Sequence, residues 1–431
     1  MADIEIGVKS APVQMAKRAA MSTVFGNALE WFDFSCYAFF AAIISRQFFP
    51  PGEHTASLMG AFAVFGIGLV ARPLGAIVFG LMGDAKGRKV ALLVAMPMMG
   101  ISTFVIGIMP TYEQVGMAAP ILLAVCRLAQ GFSGGGEAGN AIAFLIEWSP
   151  PNRRAFYSSL QQASAVTGTL VGSLTAASLS TILSQESLET WGWRIPFLLG
   201  GLIIAPLGFY LRSKVDETPL FEKAQVRHNN SKSSTACSAW LLGAKTIGLS
   251  MVWVVCFYIF MIYVPTFVTR HGHIRGTTAL WINTAALTME VICIVSSAVL
   301  ADIVGRKPLL LFAASSFLLL SWPLFEIFVH SSNPALVAAG IIVSGCLVGM
   351  FAGTCPATMA ELFPTSLRTT GMSVGFGLST AIFGGFASLI AEALISTTGS
   401  DLSPSFLVIA SSIVSIAVIL SLKETAHAPL K

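Results

Sequence analysis

The chain contains 431 residues, of which 55% are hydrophobic and 11% are charged, and its formal net charge is +4. A chain of this size cannot enclose so much apolar surface in one soluble core, so the composition excludes a soluble globular protein and indicates an integral membrane protein. The basic residues are scattered in short clusters between apolar segments rather than gathered on one face, so nucleic acid is not expected as a partner.

Apolar runs long enough to cross a bilayer, about 20 residues each, recur along the chain. They lie near residues 20–45, 57–82, 89–110, 117–147, 155–183, 193–212, 241–269, 277–301, 308–329, 335–361, 369–397 and 402–422. The sequence therefore predicts an all-α membrane protein of twelve transmembrane helices in two six-helix halves, at 20–212 and 241–422. The segments 1–19, 213–240 and 423–431 are predicted to be an N-terminal segment, a polar linker and a tail.

Two charged motifs occur once in each half and in the same order: the motif at 84–89 returns at 302–307, and the motif at 147–154 returns at 361–368. Such a duplication is typical of transporters whose halves are related by an axis along the membrane normal. Charge pairs and helix dipoles at helix ends can hold one conformation and release it when the halves rock. The predicted gating residues are Asp84, Arg88, Lys89, Asp302, Arg306, Glu147, Arg154, Glu361 and Arg368. The alternative is that these charges only set the topology.

The distribution of Lys and Arg predicts the orientation of the chain in the membrane. If the N-terminus is cytoplasmic, the inner segments carry eighteen of these residues and the outer segments carry four. Both termini and the linker are therefore predicted to face the cytoplasm. The first span is too long for a signal-peptide apolar region and has no small-residue cleavage pattern, so it is expected to be retained.

Charged side chains inside the predicted spans are candidates for function, because a charge in hydrocarbon costs about 2.5–3.5 kcal/mol on insertion scales. Asp33, Arg127 and Glu290 fall near the midplane, and Glu30 and Glu137 lie somewhat toward the cytoplasm. Helical geometry of about 100° per residue also aligns polar residues on single helix faces. These faces hold Asn27, Glu30, Asp33 and Tyr37 in the first span, Arg127, Gln130 and Glu137 in the fourth, Gln161 in the fifth, and Asn283 and Glu290 in the eighth.

A carboxylate near the midplane can change its proton affinity when its surroundings alternate between water and a cationic or apolar neighbour. Asp33 and Glu137, followed by Glu30, are therefore the predicted proton-coupling residues. Arg127 suits a carboxylate substrate, since a guanidinium group binds carboxylate in a bidentate manner. The predicted substrate-binding residues are Arg127, Tyr37, Gln130, Gln161, Asn283 and Glu290. The structural alternative is that the charges only neutralise one another, as Arg127 with Asp33 or Arg72 with Glu30.

Neither a catalytic site nor a metal or cofactor site is expected. No C-x-x-C or other metal-ligand spacing occurs, and the G-x-G-x-x-G match at 134–139 lies inside an apolar span with no preceding strand. A membrane enzyme would need a nucleophile and a base, or a metal set, close together at one membrane face. His271 and His273, on a predicted outer loop, are expected to be solvated rather than to bind a metal.

Several segments carry a resemblance to known transporters. The segment GLMGDAKGRK at 80–89 looks like the signature loop between the second and third helices of the major facilitator superfamily. Six further segments resemble the metabolite:proton symporter family of that superfamily. They are GNALEWFDF (26–34), RPLGAIVFG (72–80), RLAQGFSGGGEAG (127–139), WGWRIPF (191–197), DETPLF (216–221) and LSTAIFGG (378–385). That family includes transporters of citrate, 2-oxoglutarate, shikimate, proline and betaine.

The resemblance implies uptake of a small molecule together with protons, by alternating access around a central site. It also implies a multi-pass protein of a bacterial-type inner membrane, with the lipid bilayer and protons as partners and a monomer as the functional unit. For the substrate, the segments 361–371 and 378–385 look most like members that carry tricarboxylates or dicarboxylates such as citrate. The segments 101–116 and 423–431 look like the proline/betaine members. Organic-acid uptake is the main hypothesis and zwitterion uptake the alternative, ahead of an efflux antiporter, a channel or a sensor.

Overall fold

The structure is a computed structural model, and it describes residues 27–28, 30–50, 54–86, 88–135, 151–213, 236–363 and 368–426. Within these ranges the chain is helical apart from short turns and contains no β-strand. These ranges contain twelve long helical segments, and each segment corresponds to one predicted span. The predicted all-α membrane fold is therefore confirmed.

The first six long helices belong to the N-terminal half. Helix α1 covers residues 30–39 and continues after a turn at Phe40 as Ala41–Phe48. The next four are α2 (His54–Lys86), α3 (Arg88–Ile108), α4 (Ala118–Gly134) and α5 (Arg154–Ile182). Helix α6 consists of Ile195–Leu199, a π-helical turn at Gly200–Ile204 and Ala205–Ser213. Short helices at Tyr112–Val115 and Gln185–Thr190 connect the long ones.

The second six belong to the C-terminal half. Helix α7 consists of Ala236–Cys256, a π-helical turn at Phe257–Tyr263 and Val264–Arg270. It is followed by α8 (Gly276–Val304), α9 (Arg306–His330) and α10 (Pro334–Leu362). Helix α11 consists of Arg368–Ser379, a π-helical turn at Thr380–Gly384 and Ala387–Thr398, and α12 is Pro404–Ser421.

The described helices have the length and surface of membrane spans. Eight of them are long and apolar enough to cross a bilayer, and shorter apolar helices lie within α3, α4 and α6. Large apolar side chains point outward, including Leu74, Ile101 and Leu319, which are 61%, 64% and 73% exposed. In a membrane this surface contacts lipid, while the helices satisfy their own backbone polar groups.

Glycines allow equivalent helix pairs to approach closely in the two halves. A Cβ at Gly131 of α4 would overlap the carbonyl group of Gly68 in α2. In the other half, a Cβ at Gly353 of α10 would overlap the carbonyl group of Ile294 in α8. Such small-residue contacts bring membrane helices together through backbone packing. They hold α4 and α10 in position, and α4 carries the central polar residues.

The two halves contact each other at both ends of the bundle. We call the end that holds residues 84–89 and 302–307 the motif end, and the opposite end the far end. At the motif end, α5 of the first half lies against α8 of the second, where Asp302 accepts hydrogen bonds from backbone N–H groups of α5. At the far end, Trp281 Nε1 of α8 donates to Thr181 Oγ1 of α5 over 3.1 Å.

Candidate transport site

The centre of the N-terminal half contains a buried group of charged and amide side chains. Asp33 projects from α1, while Arg127 and Gln130 share one face of α4 because they are three residues apart. The Nη1 atom of Arg127 lies 3.3 Å from Asp33 Oδ2 and donates to Gln130 Oε1 over 2.8 Å. Gln130 Nε2 donates to Asp33 Oδ2 over 2.7 Å and to Thr103 Oγ1 over 2.8 Å. Arg127 is fully buried and Asp33 is 4% exposed.

Aromatic rings complete the surroundings of Arg127. Its guanidinium carbon lies 3.8 Å from the centre of the Tyr37 ring and 5.2 Å from the centre of the Phe34 ring. The Tyr37 hydroxyl donates to the carbonyl oxygen of Ala61 over 2.9 Å, which fixes the ring. The Nε and Nη2 atoms of Arg127 and the Oδ1 atom of Asp33 have no hydrogen-bond partner among the described residues. One edge of this buried guanidinium group is therefore unpaired among the described residues.

A second buried ion pair lies one turn from the first. Arg72 Nη2 of α2 lies 2.6 Å from Glu30 Oε1 of α1. The guanidinium carbon of Arg72 lies 4.7 Å from the centre of the Phe34 ring and 5.2 Å from that of Trp31. A Cβ at Gly134 of α4 would overlap the Glu30 carboxylate, so glycine at this position makes room for the pair. The two ion pairs that the sequence suggested as a structural alternative are thus both present.

The remaining predicted substrate residues lie on other contacts. Gln161 Nε2 donates to Asn27 Oδ1 over 3.4 Å, which joins α5 to the start of α1. Asn283 Nδ2 donates to Ser173 Oγ over 3.4 Å, across the boundary between the halves. Glu290 is fully buried in α8, and neither of its carboxyl oxygens has a hydrogen-bond partner among the described residues. No direct contact joins these three side chains to Arg127 within the described part of the chain.

Four predicted gating residues come together at the motif end. Arg306 Nη2 lies 3.0 Å from Asp302 Oδ1 and 3.3 Å from Glu361 Oε1, and Arg154 Nη1 lies 3.8 Å from the same Glu361 oxygen. The Asp302 carboxylate accepts from the N–H groups of Ala155 (3.1 Å) and Phe156 (3.0 Å) at the start of α5. An acid at a helix N-terminus is favoured by the helix dipole. The network therefore joins α5 of one half to α8 and α10 of the other.

The tail after α12 extends this network. The Glu424 carboxylate accepts from the N–H groups of Arg306 (3.0 Å) and Lys307 (2.9 Å) at the start of α9, and Thr425 Oγ1 donates to Glu361 Oε2 over 2.6 Å. Gly305, with a φ of 111°, forms the turn that presents these N–H groups. Partial burial raises the pKa of Glu424, but four backbone N–H donors lower it more, so the pKa lies below its ordinary value.

Other predicted site residues, or their side chains, lie outside the part of the chain that the structure describes. Glu137 and Glu147 lie outside the described residues, and the side chains of Asp84, Arg88, Lys89 and Arg368 do as well, although their backbone is helical. Their proposed roles in coupling and gating stay predictions.

The sequence did not identify a cluster of charged side chains at the far end. Glu392 of α11 is 1% exposed; its Oε2 lies 3.2 Å from Arg270 Nη1, and its Oε1 accepts from the Tyr263 hydroxyl over 3.0 Å. His271 lies between Glu392 (3.8 Å) and Asp401 (2.8 Å), so the expectation that it is simply solvated is wrong. The Glu392 carboxylate raises the pKa of His271 above its ordinary value, although partial burial opposes this shift.

Thr103 and the Trp31 and Phe34 rings beside the charges were also missed, whereas Tyr37 was among the predicted residues. A lone threonine or tryptophan within an apolar span gives no signal that distinguishes a site from a lipid-facing surface. Arg270 Nη2 donates to Thr55 Oγ1 of α2 over 2.7 Å, and this contact between the halves likewise has no sequence signature. Each of these contacts depends on which helices lie next to one another, and the sequence pattern of a single helix does not contain this information.

Relatives of this chain are known. A family model described as "Sugar (and other) transporter" matches residues 19–243 and 244–431. A proline/betaine transporter of Salmonella typhimurium is 31% identical over 427 residues, which cover 96% of this chain and 85% of the relative. A putative proline/betaine transporter of Staphylococcus aureus is 34% identical over 409 residues, which cover 94% of this chain and 87% of the relative.

Solved structures are similar in fold. A proton:xylose symporter has a TM-score of 0.79 at 16% sequence identity, with 97% of this chain and 98% of that chain covered. A partially occluded inward-open xylose transporter of E. coli has a TM-score of 0.73 at 16% identity, with 97% and 100% covered. At this identity the likeness shows the fold alone. The family match extends over both halves, and the chain therefore belongs to the sugar (and other) transporter family of the major facilitator superfamily, as a multi-pass membrane transporter and not an enzyme.

Proposed function

We propose that the protein takes up a zwitterionic osmolyte of the proline or glycine betaine class together with protons. The uptake proceeds by alternating access across a bacterial inner membrane, with both termini cytoplasmic and a monomer as the working unit. Two relatives that align with more than nine-tenths of the chain are named proline/betaine transporters, one of them as putative. The comparisons therefore favour the zwitterion hypothesis over the citrate hypothesis.

The observation that carries this proposal is the balance of buried charge. The two guanidinium groups near the midplane are each paired with a carboxylate, Arg127 with Asp33 and Arg72 with Glu30. Glu290 adds a third buried carboxyl group. The net charge of these five groups is therefore zero or negative. A substrate with several negative charges would need uncompensated positive charge to replace its hydration. A net-neutral zwitterion needs none.

Asp33 and Arg127 link the proton to the substrate. A proton on Asp33 removes the negative charge that holds Arg127 Nη1, and the Nε and Nη2 edge has no described partner. The freed guanidinium group can then bind the substrate carboxylate in a bidentate manner. Loss of the proton restores the ion pair and displaces the substrate. One residue pair thus makes proton release and substrate release interdependent.

The contacts at the two ends allow the protein to alternate between conformations that are open at one end and closed at the other. The Asp302 contacts with α5 hold the motif end closed, and the Arg270 contact with Thr55 holds the far end closed. Opening at either end must break bonds between the halves at that end only. With the motif end cytoplasmic, the far end admits substrate and protons from outside.

Uptake into proteoliposomes tests the proposal. An inside-alkaline pH gradient should drive accumulation of labelled glycine betaine and proline, and a protonophore should abolish it. Citrate offered at equal concentration should neither accumulate nor compete. Accumulation of citrate without accumulation of either zwitterion would overturn the substrate assignment, and accumulation that ignores the protonophore would overturn the coupling.

A further inference from the structure

A cluster of aromatic rings from both halves lies beside the Arg72–Glu30 pair. The Trp31 ring of α1 meets the Phe257 ring of α7 edge-on, with centres 5.7 Å apart, and the Tyr258 ring lies 6.5 Å away. Tyr258 in turn packs on Phe65 of α2, with centres 6.0 Å apart. Trp31 and Phe65 belong to the N-terminal half, whereas Phe257 and Tyr258 belong to the C-terminal half. The cluster therefore forms only when the halves are close.

The local backbone of α7 and α11 is irregular where the cluster forms. Phe257 and Tyr258 open the π-helical turn of α7, and Gly384 ends the π-helical turn of α11. A Cβ at Gly384 would lie 2.5 Å from Tyr258 Cε2, so the glycine allows α11 to pack against the tyrosine ring. Single π-helical turns inside α-helices occur frequently at functional sites.

The cluster already binds one cation and contains one unsatisfied polar group. The Arg72 guanidinium carbon lies 5.2 Å from the Trp31 ring centre, a distance at which ring quadrupoles attract cations. The Tyr258 hydroxyl has no hydrogen-bond partner among the described residues, although the residue is 2% exposed. A buried hydroxyl without a partner is unfavourable, and its oxygen atom can lower that cost by facing the positive charge of an ammonium group.

We propose that Trp31, Phe257 and Tyr258 form the subsite for the cationic nitrogen of the substrate. This inference rests on the proposed zwitterion uptake and specifies how that substrate is recognised. Aromatic faces bind quaternary ammonium groups, which have no N–H donor for a carboxylate acceptor. The subsite therefore suits a fully methylated ammonium compound such as glycine betaine.

The Arg72–Glu30 pair is an internal substitute for such a substrate, because it presents a cation to Trp31 with a carboxylate beside it. The substrate nitrogen competes with Arg72 for the Trp31 face. The guanidinium carbons of Arg72 and Arg127 lie 4.7 and 5.2 Å from the Phe34 ring centre, so this ring is next to both ion pairs, and we place the substrate carboxylate on its Arg127 side.

Occupation of this subsite also explains how binding promotes closure. Trp31 lies on one half and Phe257 and Tyr258 on the other, so a cation that contacts rings of both halves is bound best when the halves are close at this level. A ligand shifts a conformational equilibrium by as much as its affinities for the two states differ. The aromatic contacts across the boundary supply that difference.

A binding experiment on the purified full-length protein separates the charge of the ligand from its shape. Calorimetry would compare glycine betaine with 3,3-dimethylbutanoate, in which a carbon atom replaces the quaternary nitrogen. The variants are Trp31→Ala and Trp31→Phe, and the matched control is Trp322→Ala, because Trp322 packs on Phe406 and is 40% exposed.

We expect the wild type to bind glycine betaine more tightly than the carbon analogue. Trp31→Ala should weaken glycine betaine binding on the order of 10- to 30-fold and leave the analogue nearly unchanged. Trp31→Phe should give an intermediate loss, and Trp322→Ala should give none.

Equal binding of both ligands by the wild type would overturn the subsite, as would a glycine betaine affinity within about twofold of wild type in Trp31→Ala. If Trp31→Ala does not fold, the ratio of the two affinities in Trp31→Phe decides. If the wild type binds neither glycine betaine nor proline, the proposed function itself is wrong. Binding whose affinity does not depend on Trp31 would instead contradict only the subsite.

Discussion

Arg127 uses one edge of its guanidinium group inside the protein and leaves the other edge without a described partner. Its Nη1 atom contacts Gln130 and Asp33, and its plane lies near the Tyr37 ring. A side chain held in this way loses little rotamer freedom when a ligand arrives, because its position is already fixed. The arrangement suits a group that binds, releases and binds again in each cycle.

Asp33→Asn should abolish accumulation against a gradient while substrate exchange persists. Asparagine cannot carry the proton, but it keeps the size of the side chain and an oxygen that accepts from Gln130. The measurement compares gradient-driven uptake with counterflow in proteoliposomes. Glu189→Gln is the control, because Glu189 forms an exposed ion pair with Arg46 at 2.8 Å. Concentrative uptake at the wild-type level by Asp33→Asn would remove Asp33 from the coupling mechanism.

Arg127→Lys should raise the half-saturating substrate concentration by about tenfold or more, because an ammonium group keeps the charge but loses the bidentate edge. Lysine also cannot donate to Gln130 and Asp33 with the same fixed geometry. Initial uptake rates over a range of concentrations measure the effect. An unchanged half-saturating concentration would mean that Arg127 serves only as the counter-ion of Asp33.

At the scale of elements, the start of α5 provides hydrogen-bond donors to a carboxylate of the other half. Asp302 binds two backbone N–H groups there and an Arg306 side chain at the same time. The first N–H groups of a helix have no partner within the helix, so α5 loses no internal hydrogen bond when its contact with Asp302 breaks. The contact can therefore form and break without unwinding α5.

Asp302→Asn should lower the maximal uptake rate several-fold and leave the substrate dissociation constant nearly unchanged. The amide has one acceptor oxygen in place of two and has no charge for Arg306, so the motif-end closed state is less stable. Uptake at saturation and equilibrium binding measure the two quantities, with Glu186→Gln on an exposed short helix as the control. A large loss of affinity at a normal maximal rate would assign Asp302 to the substrate instead.

The far-end cluster should open as pH rises. His271 lies outside the spans, and its pKa is raised by Glu392, so below that pKa protonated His271 stabilises the cluster that holds Arg270 beside Thr55 of the other half. As pH rises through the raised pKa, the charge and its attraction to Glu392 and Asp401 are lost. Arg270 still donates to Thr55, so part of the contact between the halves remains.

Labelling of Leu58→Cys in a cysteine-depleted background measures this opening, because Leu58 is buried about one turn from Thr55 and its substitution keeps the Thr55 hydroxyl. Reaction with an impermeant maleimide, expressed relative to the rate of a freely exposed cysteine at the same pH, should become faster with rising pH, because this ratio removes the ionisation of the thiol itself. The pH dependence should disappear when His271→Gln is added. A pH dependence that survives His271→Gln would assign it to another group.

At the scale of the whole molecule, the described contacts join α5 and α8 along their full length. Thr181 and Trp281 meet at the far end, Ser173 and Thr284 lie 2.9 Å apart in the middle, and Asp302 meets α5 at the motif end. Rocking requires these two helices to separate at one end at a time. Under the proposed alternating access, we therefore expect the halves to move about these two helices.

A disulfide between Thr181→Cys and Trp281→Cys, in a cysteine-depleted background, should stop uptake by holding the far end closed. Reduction should restore it. Each single substitution is the control for the other. Full uptake after complete cross-linking would show that the halves do not separate at this position.

The sequence predicted the helices well because apolar length is a property of each segment alone. Helix α9, for example, covers Arg306–His330 where 308–329 was expected. The π-helical turns in α6, α7 and α11 were not predicted, since a shift from i→i+4 to i→i+5 bonding leaves hydropathy unchanged. The Asp33–Arg127 and Arg72–Glu30 pairs could be proposed from depth and charge. The aromatic cluster could not, because Trp31 and Phe257 meet only through the packing of two halves.

Membrane voltage acts differently on the empty and the loaded protein, because the Arg127–Asp33 and Arg72–Glu30 pairs are electrically neutral. Moving these neutral pairs through the membrane field without bound substrate requires almost no electrical work. A proton on Asp33 leaves the charge of Arg127 unbalanced, and a zwitterion with no net charge does not cancel it. A potential of 100 mV then contributes about 2.3 kcal/mol to the loaded step. Under the proposed coupling, the cell's voltage would thus drive a substrate that itself carries no net charge, while the two neutral pairs add no charge to the return of the empty protein.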